Sequence, residues 1–383
     1  TVKGKEDAAD TQEVRTLNSM TPLWVKSKNE IKPEEYSQFY KEVFHAWDDP
    51  LEVIHTKAEG AVEFTTLLFL PAHAPFDFYQ RETTTGIRLY SKNVFVMDNY
   101  QDLLPEYLRF VRGLVDSPDF SLNISRELLQ HSSQLKKIAK NLEKTIFKTL
   151  DKMLDKDRDK YKKFWQEYGK SVKNGVYSDF MNRDKLQALL MFPSSHSVDE
   201  LTTLDEYLAR MPESQTVIYY ATGKDRSSVE RLPQMEILKE KGLEVLYLFD
   251  RVDEFAIDSL REYKEKKFQS ISRGDLKLQE LDAPKEKKDD ETAVKENEAL
   301  TTAVKEQLKG RVADVKISHR LKTSPVCLVS GDEGISLSME QILSEMDNSM
   351  YKASRILELN PDHELFGVLR ELPAVAADSH NFK

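Results

Sequence analysis

"TVIYYATGKDRSSVERLPQMEILKEKGLEVLYLF", residues 216–249, is the stretch whose reading decides the fold. "TVIYYAT" and "LEVLYLF" are short apolar runs rich in β-branched and aromatic residues, which reads as two strands. Between them "SSVERLPQMEILKEKG" reads as a helix, with Gly242 at its C-terminal end where a left-handed residue commonly stops one. Strand, helix and strand in succession make an α/β unit. "TLDEYLARM" (203–211) before it and "VDEFAIDSLREYKEKKF" (252–268) after it read as further helices.

Upstream, "TPLWVKSKNEIKPEEYSQFYKEVF" (21–44) gives a small apolar cluster and then a helix with Pro33 in its first turn. "AVEFTTLLFL" (61–70) and "IRLYSKNVFVM" (87–97) read as strands around the loop "PAHAPFDFYQRETTTG", and "YQDLLPEYLRFVRGLVDS" (100–117) reads as a helix with Leu103, Leu104, Leu108 and Val111 inward. Leu135, Ile138, Leu142, Ile146, Leu150 and Met153 recur at spacings of three and four, the stripe of a long amphipathic helix. Helix continues through "KKFWQEYGKSVKNGV" and "NRDKLQALLMF" (182–192).

Downstream, "APKEKKDDETAVKENE" (283–298) is almost wholly charged and marks a boundary or an exposed connection. "EALTTAVKEQLKGRV" then reads as helix, and "ADVKISHRL" and "SPVCLVS" as strands. "SLSMEQILSEMDNSM" (336–350) reads as a Met-rich amphipathic helix whose Ser338 and Gln341 have capping-box spacing. Its apolar face carries Met339, Ile342, Leu343, Met346 and Met350, and periodicity alone sends that face to a core.

At 383 residues the chain is long for one core, so two or three domains are expected. An apolar share of 39% with 32% charged residues describes a globular, highly charged chain. The net charge of -10 argues against a nucleic-acid partner, which needs a basic face. The single cysteine, Cys327, rules out an internal disulfide framework and, inside an apolar run, reads as a buried structural thiol. No run approaches the roughly 18 apolar residues of a membrane span, and a cytoplasmic location is expected. The polar start, residues 1–20, reads as a linker.

The usual catalytic signatures are missing. The eight histidines are scattered without metal-ligand spacing, so no metal site is expected. Gly223-Lys224 follows a strand and precedes a helix, yet it lacks the upstream glycine and the following Ser or Thr of a phosphate loop. A tight turn between strand and helix is the better reading. One loop does suit an anion. In "SPDFSLNISRELLQH" (117–131) a helix begins at an arginine, and a helix N-terminus with a guanidinium beside it is a natural phosphate contact. Asn123 is a good N-cap and Gln130 lies one turn along from Arg126. An arginine paired on the surface with Glu127 or Asp119 is the plainer alternative.

That loop, within "LVDSPDFSLNISRELLQ" (114–130), closely resembles the catalytic loop of the 90-kDa heat-shock protein chaperone family. "TPLWVKSKNEI", "LLFLPAHAPFDFY", "IRLYSKNVFV", "LLPEYLRFVRGLVDS", "KFWQEYGKSVKNGV", "LTTLDEYLARM", "IYYATG", "EVLYLFDRVDEFAI" and "RILELNPDHELF" are similar to that family in the same order, over about residues 20 to 370. The chain resembles its middle and C-terminal domains in their bacterial form. The resemblance implies an α/β (α+β), multi-domain architecture. Its middle domain would span 21–285, with a large αβα sandwich at 21–150, a helical connector at 151–198 and a small αβα unit at 199–285. A mixed α/β C-terminal domain would follow at 286–383.

The resemblance also implies roles. Arg126 would reach the γ-phosphate of ATP, with Mg2+, held by an N-terminal nucleotide-binding domain whose motifs do not occur here, and no cofactor is expected in this chain itself. Asn123 and Gln130 would support that loop, while Phe120 and Leu122 would pack on the nucleotide domain. Trp24 and Phe95 match positions that contact client proteins, as does the helix of Met339, Ile342, Leu343 and Met346. An exposed Trp24 would suit that contact, and packing against the first helix is its alternative. Phe95 alternates in a strand, which by itself points to a core. The expected function is that of an ATP-dependent chaperone fragment, inactive alone, which binds unfolded clients and completes hydrolysis by its own N-terminal domain. The alternative is a nucleotide-independent scaffold or holdase. The family forms homodimers, but "PAVAADSHNFK" after "HELFGVLREL" departs from its dimerisation helices, and "LLMF" carries Met191 where the family usually has a basic residue. Neither nucleic acid nor membrane is an expected partner.

Overall fold

"FTTLLFLP" becomes an interior strand of the first sheet because its side chains are buried on both faces, and burial on two faces is what a continuous apolar run provides. The computed structural model describes residues 21–60, 62–79, 86–120, 133–276, 288–346 and 350–375. The chain divides into two compact units, Thr1–Glu167 and Tyr168–Lys383.

In the first unit, helix α1 (Pro33–Phe44) precedes strands β1 (Pro50–Ala58), β2 (Phe64–Pro71), β3 (Ile87–Ser91), β4 (Val94–Tyr100) and β5 (Arg112–Asp116). The sheet order is β1-β2-β5-β3-β4, parallel only between β3 and β5. Leu67 and Phe69 of β2 face α1, in one cluster with Trp24, Ile31, Tyr36, Tyr40 and Leu114. Strand alternation turns Leu68 and Leu70 to the opposite face. Helix α2 (Ser133–Lys156) buries the expected stripe from Leu135 to Met153, and its Phe147 stacks on Tyr107 at 6.5 Å. Gly113 of β5 sits opposite Leu68 at φ 152°, and a Cβ there would stand 2.3 Å from the Leu67 carbonyl oxygen. Only glycine fits.

The helix expected over 100–117 does not form. Two short 3-10 turns, Gln101–Leu103 and Glu106–Leu108, stand there, followed by β5. Pro105 interrupts the helical run, and Leu103 and Leu108 are buried without a helix. Strand β1 is not evident from the sequence, because charged residues dilute "PLEVIHTKA".

Helix α3 (Arg158–Ser178) contains the boundary between the two units. In the second unit, α4 (Arg183–Ala188), β6 (Met191–Ser194), β7 (Ser197–Thr203), α5 (Leu204–Arg210), β8 (Val217–Thr222), α6 (Arg226–Glu230), α7 (Glu236–Glu240), β9 (Leu246–Leu248), α8 (Arg251–Leu260), β10 (Glu262–Tyr263) and β11 (Lys266–Ser270) follow in order. They build a six-stranded sheet, β10-β11-β8-β9-β6-β7, whose β11-β8-β9 centre is parallel. Val217, Tyr219 and Ala221 of β8 pack with Val245 and Tyr247 and with Val229, Ile237 and Leu238 of the helices. Three helices expected here are shorter. Pro233 breaks 227–242 into α6, a 3-10 turn and α7, while Gly242 ends the run at φ 65°. The run 252–268 turns back at Arg261 into the β10–β11 hairpin, and 182–192 gives way to β6.

The chain continues with α9 (Lys288–Gln307), β12 (Asp314–Ile317), β13 (Val326–Ser330), α10 (Leu337–Glu345), β14 (Arg355–Leu359) and α11 (Glu364–Val375). The charged run at 283–298 is thus helical from Lys288. The three strands form a sheet in the order β12-β14-β13. Leu300, Val315, Leu359 and Phe366 form one core and Leu321, Cys327 and Val329 another. Burial and the neighbouring Glu358 push the Cys327 thiol up to about 12, as a structural cysteine requires. The fold is the mixed α/β architecture expected.

Candidate functional site

Arg126, Asn123, Gln130 and Leu122 lie outside the described residues. What the structure describes is the base from which their loop departs. Strand β5 ends at Asp116, a buried carboxylate that accepts from the Trp24 indole Nε1 at 2.8 Å and from the Asn93 backbone N at 2.9 Å. Ser117 donates its N–H to the Tyr90 carbonyl at 3.1 Å and its hydroxyl to the Glu63 carbonyl at 2.6 Å. Phe120 is buried, and its carbonyl accepts from Ser91 Oγ at 2.6 Å. At Ser133 the chain returns as α2. Bonds from three separate segments, at Trp24, Glu63 and Tyr90–Asn93, therefore fix one end of the loop.

Trp24 is buried rather than exposed. Its ring lies 4.8 Å from Tyr90 and 6.0 Å from Phe39 of α1, and its carbonyl meets His55 Nε2 at 3.1 Å. With Nε2 donating to that carbonyl, Nδ1 is left to accept from Tyr36 Oη at 2.7 Å. Burial lowers the pKa of His55, which favours the neutral ring this pattern needs. The indole N–H serves Asp116, so the side chain offers an apolar contact to its own sheet instead of to solvent.

Phe95 is the reverse case. It is 53% exposed beside Val94 at 52%, although it alternates in a strand. The reason is position: β4 is an edge strand and Phe95 rests edge-on against Tyr90 at 5.6 Å. Lys92 and Asn93, both at positive φ, turn the hairpin that carries it.

In the second unit, α10 divides the residues assigned to it. Met339 is buried, Ile342 and Leu343 are half-buried, and Met346 is exposed, as are Met350 and Tyr351 beyond the helix. Its N-cap is Ser336, which accepts from the Met339 N–H at 2.9 Å, so Ser338 and Gln341 do not cap it. Periodicity implies a core face, but the short helix buries only its first turn.

Sequence reasoning misses a second apolar surface. Phe180 and Met181 are 74% and 90% exposed, and Tyr177 lies 5.8 Å edge-on from Phe255 of α8. Asp179 holds the turn after α3 by accepting from the Met181 and Asn182 N–H groups. The available signal is "YSDFM", where apolar residues follow a helix end without any period. Among the described residues no cluster of histidine, cysteine or carboxylate side chains suits a metal ion, and no helix is long and apolar enough to cross a membrane. Gly223-Lys224 is a tight turn, with Asp225 capping α6.

Known proteins are similar to this chain along its length. The sequence profile of the family described as Hsp90 protein matches residues 2–383. The chaperone protein HtpG of Clostridium acetobutylicum is 49% identical over 371 residues, 96% of this chain and 58% of that protein. HtpG of Clostridium botulinum is 47% identical over 369 residues, with the same shares covered. The chain thus spans about 58% of the length of these relatives. Among solved structures, the middle domain of a heat shock protein of Plasmodium falciparum matches with TM-score 0.60 and 32% identity, over 66% of this chain and 100% of that one.

Proposed function

The chain belongs to the Hsp90 protein family, and from that premise we propose that it holds unfolded client proteins and supplies the arginine that completes ATP hydrolysis on a nucleotide-binding domain. The observation that carries the client half is the set of large apolar side chains left in solvent: Val94 and Phe95 in the first unit, and Tyr177, Phe180, Met181, Met346, Met350 and Tyr351 in the second. Exposed apolar groups on a protein with 32% charged residues suit weak contacts with many sequences, and flexible methionines adapt to varied partners.

The nucleotide half rests on the "NISRE" loop and on its fixed base. Mg2+-bound ATP, held by the nucleotide-binding domain, would bring the phosphoryl chemistry. This chain's part is the Arg126 guanidinium, a bidentate donor to developing negative charge. Asn123 and Gln130 would support it. Asp116, held by Trp24 and Asn93, positions the strand end from which the loop leaves. Dimerisation and a cytoplasmic location belong to the same reading.

The client half is tested by suppression of aggregation of a denatured protein. The chain is expected to slow aggregation, and Phe180→Ser/Met346→Ser/Met350→Ser to lose at least half of that effect at unchanged thermal stability. Equal suppression by the variant would return these side chains to an incidental apolar surface.

A further inference from the structure

Within the second unit, two acids of the six-stranded part reach the three-stranded part, and each is met by hydroxyls. Glu236, at the start of α7, accepts from the backbone N–H of Lys322 at 2.7 Å, of Thr323 at 2.9 Å and of Ser324 at 3.1 Å. It also accepts from Thr323 Oγ1 at 2.9 Å and Ser324 Oγ at 2.5 Å. Glu254 of α8 accepts from Ser338 Oγ at 2.8 Å and from Ser336 Oγ. Three successive N–H groups turned on one oxygen pair form a concave anion site, and here the anion is a side chain of the same unit.

A second set of bonds joins the same two parts at another place. Arg320, buried and paired with Glu358 at 2.9 Å, donates to the Ile271 carbonyl at 2.7 Å and to that of Gly274. Ser330 and Gly274 add backbone bonds, Ser330 N to Ser272 O at 2.9 Å and Gly274 N to Ser330 O at 2.8 Å. This set is sealed from solvent at Arg320, whereas Thr323 is exposed.

We propose that Glu236 and the Lys322–Ser324 turn form a clasp between the two parts, that the buried Arg320 side is its hinge, and that a negative charge on Thr323 opens it. The clasp holds a full anionic charge with dipoles, and the Lys322 ammonium is engaged with Glu240 at 3.3 Å. A carboxylate at position 323 would compete with Glu236 for the same N–H groups and repel it across one hydrogen-bond length. Contacts at the hinge involve neither residue.

Hydrogen exchange at single amides, in the whole chain, tests this. Thr323→Glu is expected to speed exchange at residues 322–324 at least tenfold and to leave the Gly274 and Ser330 amides protected. Thr323→Gln, of the same size without the charge, is expected to leave exchange at 322–324 within twofold of the unsubstituted chain. The proposal is overturned if Thr323→Glu changes exchange at 322–324 less than twofold, if Gly274 and Ser330 open equally, or if Thr323→Gln speeds exchange as much as Thr323→Glu.

Discussion

At the scale of single residues, two carboxylate acceptors, the buried Asp116 and the half-buried Glu236, carry measurable consequences. Asp116 is held by one indole N–H and one backbone N–H, so Trp24→Phe keeps the ring packing but removes a donor to a buried carboxylate. Such a loss costs about 1–3 kcal/mol, and denaturant unfolding of the first unit is expected to show it. A change below a few tenths would mean that water replaces the indole. Glu236 gives a pH dependence. Burial alone would raise its pKa, but the bonds from Ser324, Lys322 and Thr323 outweigh it and hold the carboxyl at about 2. A depressed carboxylate stabilises the fold above its unfolded value of about 4.3 and loses that effect as pH falls toward 2. The charged neighbours Lys322 and Glu240 face the same turn. The extra amide protection of residues 322–324 over Glu236→Gln is therefore expected at pH 7 and 5, and to shrink from pH 4 toward 2. A constant difference across that range would contradict it. Neither acceptor is legible in the sequence, since Trp24 and Asp116 are 92 positions apart and Glu236 and Ser324 are 88.

At the scale of elements, legibility follows local signals. α2 is readable because its apolar stripe repeats every three or four residues, and β8 because an unbroken apolar run buries both faces. The failures sit where one residue overrides a period. Pro105 and Pro233 break helical patterns, and the turn at Arg261 sends a helical run into a hairpin. Alternation misplaces Phe95 because a pattern cannot say which strand lies at the edge. Gly113 is an element-scale constraint of this kind. Gly113→Ala forces a Cβ against the Leu67 carbonyl at a φ that L residues rarely adopt. A cost of about 1–3 kcal/mol or more is expected, read as a lower Tm, whereas an unchanged Tm would show that β2 and β5 can part without loss.

At the scale of the whole molecule, the order of motifs along the chain points to the family, and the three mixed sheets agree with it. The candidate site is legible only in part. The sequence reads the loop of Arg126 as a helix start with an arginine, a reading that lies outside the described residues, while the base at Asp116, Ser117 and Phe120 emerges from long-range bonds. The exposed Phe180 and Met181 follow no period and are unreadable until the fold is known. The central claim is that this chain lends an arginine to ATP hydrolysis elsewhere in the full-length protein. ATP turnover by full-length protein carrying Arg126→Ala, with nucleotide affinity measured alongside, tests it most directly. Turnover is expected to fall about a hundredfold or more, roughly 2.7 kcal/mol in barrier, at unchanged affinity. Near-normal turnover would contradict the claim and leave Arg126 a surface residue paired with its neighbours.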